Sequence, residues 1–165
     1  MVAWYRVLTT ETRAHIRVAG FEPIICLLLE RSSSAILVQS LAKRWWDTTY
    51  TFHITNWEMT VTPHDFHYMI GFRCDGALIN LEGELGTQLG IDLLGRRYNT
   101  DTIHYFDIKM EYKPFTQLMA NNCARMARAF SLYLLVVYLF ANIGKTISLR
   151  WLALLRDFRE AWEAN

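Results

Sequence analysis

The chain has 165 residues, 52% hydrophobic and 14% aromatic, which fits one domain with a buried core and excludes a disordered segment. Seventeen Lys and Arg against 16 Asp and Glu leave a formal charge of +1, so binding to nucleic acid driven mainly by phosphate contacts gets no support from composition. Cys26, Cys74 and Cys123 stand far apart with no CxxC pair, a usage that suits a reducing compartment and buried thiols. No signal peptide is expected, because the first apolar run, 24–29, is short and late. The apolar run 129–141 is interrupted by Ser131 and falls short of the roughly 20 residues a membrane-spanning helix needs.

In chain order, residues 10–19 predict a short helix, with Thr9 or Thr10 as N-cap and Gly20 as a left-handed stop. After Glu22-Pro23 comes the apolar segment 24–29. The trio Ser32-Ser33-Ser34 offers N-caps for a helix over 35–46, in which Leu37, Leu41 and Trp45 recur every fourth residue on one face. Residues 49–54 alternate Phe52 and Ile54 with polar neighbours, Asn56-Trp57 reads as a turn, and Met59 and Val61 resume the alternation, which predicts a hairpin. Thr62-Pro63-His64-Asp65 has the chemistry of a capped helix start, ending at Ile70 with Gly71 free to turn.

Asp75-Gly76 is a turn dipeptide. Leucines and glycines over 82–95 predict short helical turns, 96–102 a polar loop, and 103–113 fits no single pattern. Residues 115–141 predict the longest helix, with Leu118, Met119, Met126, Phe130, Tyr133, Leu134, Val137 and Tyr138 in the core. Residues 142–145 break it, and 147–158 predict a final amphipathic helix. With no linker or repeat, the expected architecture is a single mainly α domain over 1–165 with a small β-hairpin (α+β).

The ordered set Leu41, Arg44-Trp45, Thr51-Phe52-His53, Glu58-Met59-Thr60, Thr62, Asp65, Gly71 and Asp75-Gly76 resembles the plant mobile domain. That family, also called aminotransferase-like, includes the MAINTENANCE OF MERISTEMS group and the long-form relatives of plant phosphatase seven. Residues 128–140 are similar to the family's RxxLLxxxxxxLF helix, and Ser148-Leu149-Arg150-Trp151-Leu152 to the segment after it. The match covers about 20–80 and 116–158 best. Because the family domain usually continues through further helices, the resemblance implies a C-terminally shortened member, with exposed apolar surface where those helices would pack.

The chemical suspects carry blander explanations. His64 and His67 flank Asp65 one helical turn apart, but three such groups at one helix start suit capping better than a metal. Gly144-Lys145-Thr146 mimics the tail of a P-loop, yet the required earlier glycine is Leu139. Gly83, Gly86 and Gly90 form no GxGxxG and are read as helix ends or close-packing positions. Aminotransferase chemistry needs a Schiff-base lysine in a phosphate cradle, and Lys43, Lys109, Lys113 and Lys145 lie in none. Cys74 is expected to be structural, the tryptophans beside Arg44 to be core or interface, and Arg125 and Arg128 to lie on a solvated helix face.

No catalytic, cofactor or metal residue is therefore assigned. The resemblance implies a non-catalytic nuclear protein-interaction domain acting in transposon silencing, gene expression and meristem or genome maintenance. Its partners would be phosphatase-like or other plant mobile domain proteins. Arg44, Trp45, Phe52, His53, Glu58, Thr60, Asp65, Gly71, Asp75 and Gly76 form the expected structural or interaction signature, with Phe52 packing the hairpin on the helices and Glu58 paired to Arg44. The alternatives are a transposon-derived DNA or chromatin binder with a basic stripe of Arg125, Arg128, Arg150 and Arg156, a metal-dependent hydrolase using His64, Asp65 and His67, or a degenerate fragment without function.

Overall fold

A computed structural model describes residues 2–30, 34–70, 81, 83–114, 120–140 and 144–159. It is mainly helical, with two small antiparallel sheets, and falls into two compact units. The first joins Met1–Glu22 to Asp75–Asn165, and the second is Pro23–Cys74.

In the first unit, α1 (Val2–Tyr5) and α2 (Thr10–Val18) open the chain. The Thr9 hydroxyl accepts from the Thr12 amide at 3.3 Å, and Gly20 takes φ 81°, so α2 starts and stops as its local sequence requires. The centre of the unit is α8 (Ala120–Leu134), which packs against α2 and α7 (Tyr105–Tyr112). Met126, Phe130 and Leu134, spaced by four, are buried along it, and Trp4 sets its ring edge against Phe130 and Tyr133, each at 5.2 Å. Residues 135–140 continue α8 as a wider π-helical segment. Val137 is half-buried there and Tyr138 exposed, so the expected core stripe fades at this end; Leu118 and Met119 lie outside the described residues.

The 82–95 stretch forms α6 (Gly86–Leu89), then a π-helical turn over Gly90–Leu94 that stops at Gly95 with φ 73°. Gly86 and Gly90 are close-packing positions, since a Cβ would lie 2.8 Å from Asp101 Oδ1 at the first and 2.5 Å from the Tyr98 ring at the second. Asp101 ties this corner together, accepting from the Thr87 amide at 3.1 Å and from Arg150 Nε at 2.9 Å.

One open stretch is resolved here and one expectation corrected. Residues 103–113 are a strand followed by a helix, β4 (Thr102–His104) and α7, the latter capped by His104, whose Nδ1 accepts from the Phe106 amide. The final amphipathic helix is instead β5 (Thr146–Ser148), antiparallel to β4, followed by a 3-10 helix over Leu149–Leu155. Three of its four leucines recur at 149, 152 and 155, a spacing of three that lines up along a helix with three residues per turn. All three are buried, as are Ile147 and Phe158, whereas Trp151 and Leu154 are half-buried.

In the second unit, α3 (Glu22–Glu30) leads to α4 (Ala35–Ala42), which is shorter than expected. Ser34 is its N-cap, accepting from the Leu37 amide at 3.4 Å. Trp45 and Trp46 are not helical. They form β1 (Trp45–Trp46), which pairs with β2 (Thr51–Ile54), itself paired with β3 (Trp57–Met59). The β2–β3 turn is Thr55-Asn56, with Thr55 at φ 55°, so Trp57 belongs to a strand. α5 (Pro63–Ile70) follows with its expected bounds. Cys123 is buried beside Thr9, whereas Cys26 is exposed, against the expectation of a buried thiol, and Cys74 lies outside the described residues.

Candidate interaction surface

The three-stranded sheet has one apolar and one mainly polar face. Strand residues alternate between faces, and the register pairs Trp45 with Phe52, Phe52 with Met59 and Ile54 with Trp57. Trp45, Phe52, Ile54, Trp57 and Met59 therefore share one face, and Trp46, Thr51, His53 and Glu58 the other. None of these residues is buried; Trp57 is 79% exposed. The Trp45 ring meets Phe52 edge-on at 4.8 Å and Tyr50 at 6.3 Å. Tyr50, the last residue of the β1–β2 turn with φ 53°, is 69% exposed, and the Thr60 hydroxyl donates to its carbonyl at 2.9 Å. Elsewhere in this unit Ile36, Leu37 and Val38 on α4 and Phe66, Tyr68 and Met69 on α5 also face solvent. A contiguous apolar sheet face left open in this way marks an association surface more often than a scaffold.

The signature residues take definite places. Arg44 follows α4, where its Nη1 donates to the Ser40 carbonyl at 2.9 Å and its own carbonyl accepts from the His53 amide at 2.8 Å. Glu58 faces His53 across the β2–β3 ladder, 3.6 Å from its Nε2 and beyond hydrogen-bond distance, in place of the expected Arg44. His53 rests its ring on Trp46 at 4.7 Å. Phe52 is half-buried and packs within the sheet against Trp45. Trp45 and Trp46, expected as core or interface, are exposed, which leaves the interface reading of the two.

Asp65 forms the capping box as expected. Its amide donates to the Thr62 hydroxyl at 3.1 Å, and its Oδ2 accepts from the Thr62 amide at 2.9 Å and hydroxyl at 2.7 Å. Those bonds hold its carboxyl below the ordinary aspartate range. His64 and His67 both set their rings against Tyr68. Among the described residues no group of three or more metal-ligating side chains converges. Gly71, Asp75 and Gly76 lie outside the described residues.

Sequence reasoning missed Trp57, Tyr50 and Tyr68 as surface features. The signal was present for Trp57: Phe52, Ile54, Trp57 and Met59 alternate through a two-residue turn onto one face.

Three of the four arginines in the stripe that the DNA-binding alternative predicts have internal partners. Arg128 donates to the carbonyls of Leu155 at 2.8 Å and Arg156 at 3.1 Å and lies over the Phe158 ring, so it is no solvated helix residue either. Burial and the nearby Arg125 lower its pKa. Arg150 pairs with Asp101 at 2.9 Å and Arg156 with Glu84 at 2.8 Å. Lys145, in the P-loop mimic, sits at φ 50° in the turn into β5 with its ammonium over the Tyr105 ring. Among the described residues no helix is long and apolar enough to cross a membrane.

These features define a mainly helical chain whose second unit presents an aromatic sheet face. Comparison with known proteins gives its lineage: the chain belongs to the plant mobile domain family, whose model matches residues 24–164. It is 32% identical over 132 residues to the serine/threonine-protein phosphatase 7 long form homolog of Arabidopsis thaliana, covering 75% of this chain and 10% of that protein. To MAIN-LIKE 1 and MAIN-LIKE 2 of the same plant it is 27% identical over 145 residues and 28% over 133. Those matches cover 78% and 76% of this chain, and 28% and 20% of the relatives. The chain thus spans well under a third of the length of these relatives. No solved structure gives a significant match.

Proposed function

We propose that the chain is a non-catalytic protein-interaction domain of the plant mobile domain type, acting in the nucleus in gene expression, transposon silencing and meristem or genome maintenance. One observation carries this reading: the second unit leaves an uncharged face of Trp45, Phe52, Ile54, Trp57 and Met59 open to solvent. Aromatic residues of this kind supply large contact area at low entropic cost and dominate binding at protein interfaces. Family membership, and a relative named as a phosphatase 7 long form homolog, support phosphatase-like or other plant mobile domain proteins as partners. The internal pairing of Arg150 and Arg156 and the burial of Arg128 favour this reading over one based on phosphate contacts.

Affinity capture from plant nuclear extract, quantified by mass spectrometry for the wild type and for a Trp57→Ser/Tyr68→Ser double variant, tests it. Recovery of such a partner by the wild type and its loss with the variant is the expected result. Recovery of chaperones alone, or of the same proteins by both forms, overturns it.

A further inference from the structure

The sheet's open edge adds a recognition element to this surface. In a hairpin closed by a two-residue turn, the residues flanking the turn exchange backbone hydrogen bonds, and bonded and non-bonded pairs then alternate. Ile54 and Trp57 flank the Thr55-Asn56 turn, so the next pair, His53 and Glu58, is non-bonded and both backbones point away from each other. The His53 amide does so, donating to the Arg44 carbonyl at 2.8 Å. By the same alternation the Glu58 N–H and C=O point outward from β3. All three β3 residues are exposed, and among the described residues no strand covers that edge. The Glu58 side chain is 60% accessible on the polar face, with His53 the titratable group beside it.

We infer that this edge receives an extended segment of a partner protein, added antiparallel to β3, with Lys or Arg opposite Glu58 and apolar residues on either side of it. The inference rests on the interaction-domain reading and names the partner's chemistry. Backbone bonds to Glu58 would fix the register, and the opposing cation would meet its carboxylate. The flanking apolar residues would fall on the face of Trp57 and Met59, extending the apolar surface by one strand. Charge disfavours a second copy of the same edge. Two β3 strands paired antiparallel about their centres would set Glu58 directly against its own copy, a destabilising cross-strand contact.

The test titrates the whole chain with a capped peptide, Thr-Val-Lys-Val-Thr, and with its counterpart carrying Glu in place of Lys, by calorimetry at low salt. The wild type is expected to bind the Lys peptide at least about threefold more tightly, as one cross-strand charge pair warrants. Glu58→Lys should invert the preference and Glu58→Gln abolish it, with circular dichroism showing that both variants stay folded. N-methylation of the peptide's central amide should remove binding. Equal affinity for the two peptides, no binding of either at about 1 mM, or insensitivity to N-methylation overturns the inference. Should those results coincide with Trp57-dependent partner capture, the edge proposal fails and the interaction-domain reading stands. A charge preference inverted by Glu58→Lys without such capture supports the edge and sinks the domain reading.

Discussion

Arg128 lies three residues from Arg125 on α8, a spacing that suggests a basic face, yet its guanidinium satisfies the Leu155 and Arg156 carbonyls and covers Phe158. Nothing local in sequence gives this, because both carbonyls sit more than 25 residues further along the chain. Replacing it with Met takes the donor from the carbonyl of the buried Leu155, so Arg128→Met is expected to cost about 1–2 kcal/mol in urea denaturation, where a solvated arginine would cost almost nothing. Glycine effects are equally specific. Gly95 has φ 73° and a Cβ there would fall 2.6 Å from Arg125 Cζ, so Gly95→Ala is expected to lower the thermal midpoint. Gly83 has open space around it, and Gly83→Ala should be neutral or slightly stabilising in the same scan. Tyr98 is hydrogen-bonded to Tyr112 at 3.1 Å, and burial pushes its hydroxyl up to about 12 from an ordinary 10.0. A raised pKa favours the folded state fully below pH 10 and progressively less as pH climbs towards 12, as the unfolded chain ionises first. Thermal melts across that range should therefore fall with pH, and less steeply in Tyr98→Phe.

Elements with local punctuation were legible, and elements that exist only through a distant partner were not. α2 and α5 carry their own caps, Thr9 with Gly20 and Thr62 with Asp65, so four residues of sequence sufficed to place each start. β1 and β5 are two and three residues long and become strands only by pairing with β2 and β4, whose presence their own composition does not announce. The segment after β5 misled through its leucine spacing, since a step of three is shared by α and 3-10 patterns and only the unbroken 149, 152, 155 series separates them. The signature residues were legible as a set but not in their partners: Asp65 caps as read, while Glu58 meets His53 rather than Arg44. Two outcomes belong to this scale. Leu152, fully buried in the 3-10 segment, should cost about 2–5 kcal/mol on truncation to Ala. Thr62→Ala should speed hydrogen exchange of the α5 amides. In the wild type the protection factors of these amides, corrected for the intrinsic slowing of exchange in acid, should fall on acidification, because the depressed Asp65 pKa makes the cap fully present above the ordinary value of 3.8 and lost as pH falls through the lower, folded one.

The burial pattern divides the molecule unevenly. The first unit holds nearly all the buried apolar residues described, from Trp4 through Phe130 to Leu155, while in the second only Ile24 and Ile25 are buried among large apolar side chains. A three-stranded sheet of nine residues whose apolar face stays open is marginal by itself. Its amides should exchange faster than those of α8 in the free chain. This asymmetry makes physical sense if the second unit completes its core only against a partner, which would then order it as well as bind it. Deuterium exchange of the full chain, alone and with its captured partner, would locate that contact directly. The expected result is slowed exchange over Trp45–Trp46, Thr51–Ile54, Trp57–Met59 and Pro63–Ile70, with α8 unchanged. Protection confined to the first unit, or none anywhere, would contradict the assignment of the aromatic sheet as the interaction surface.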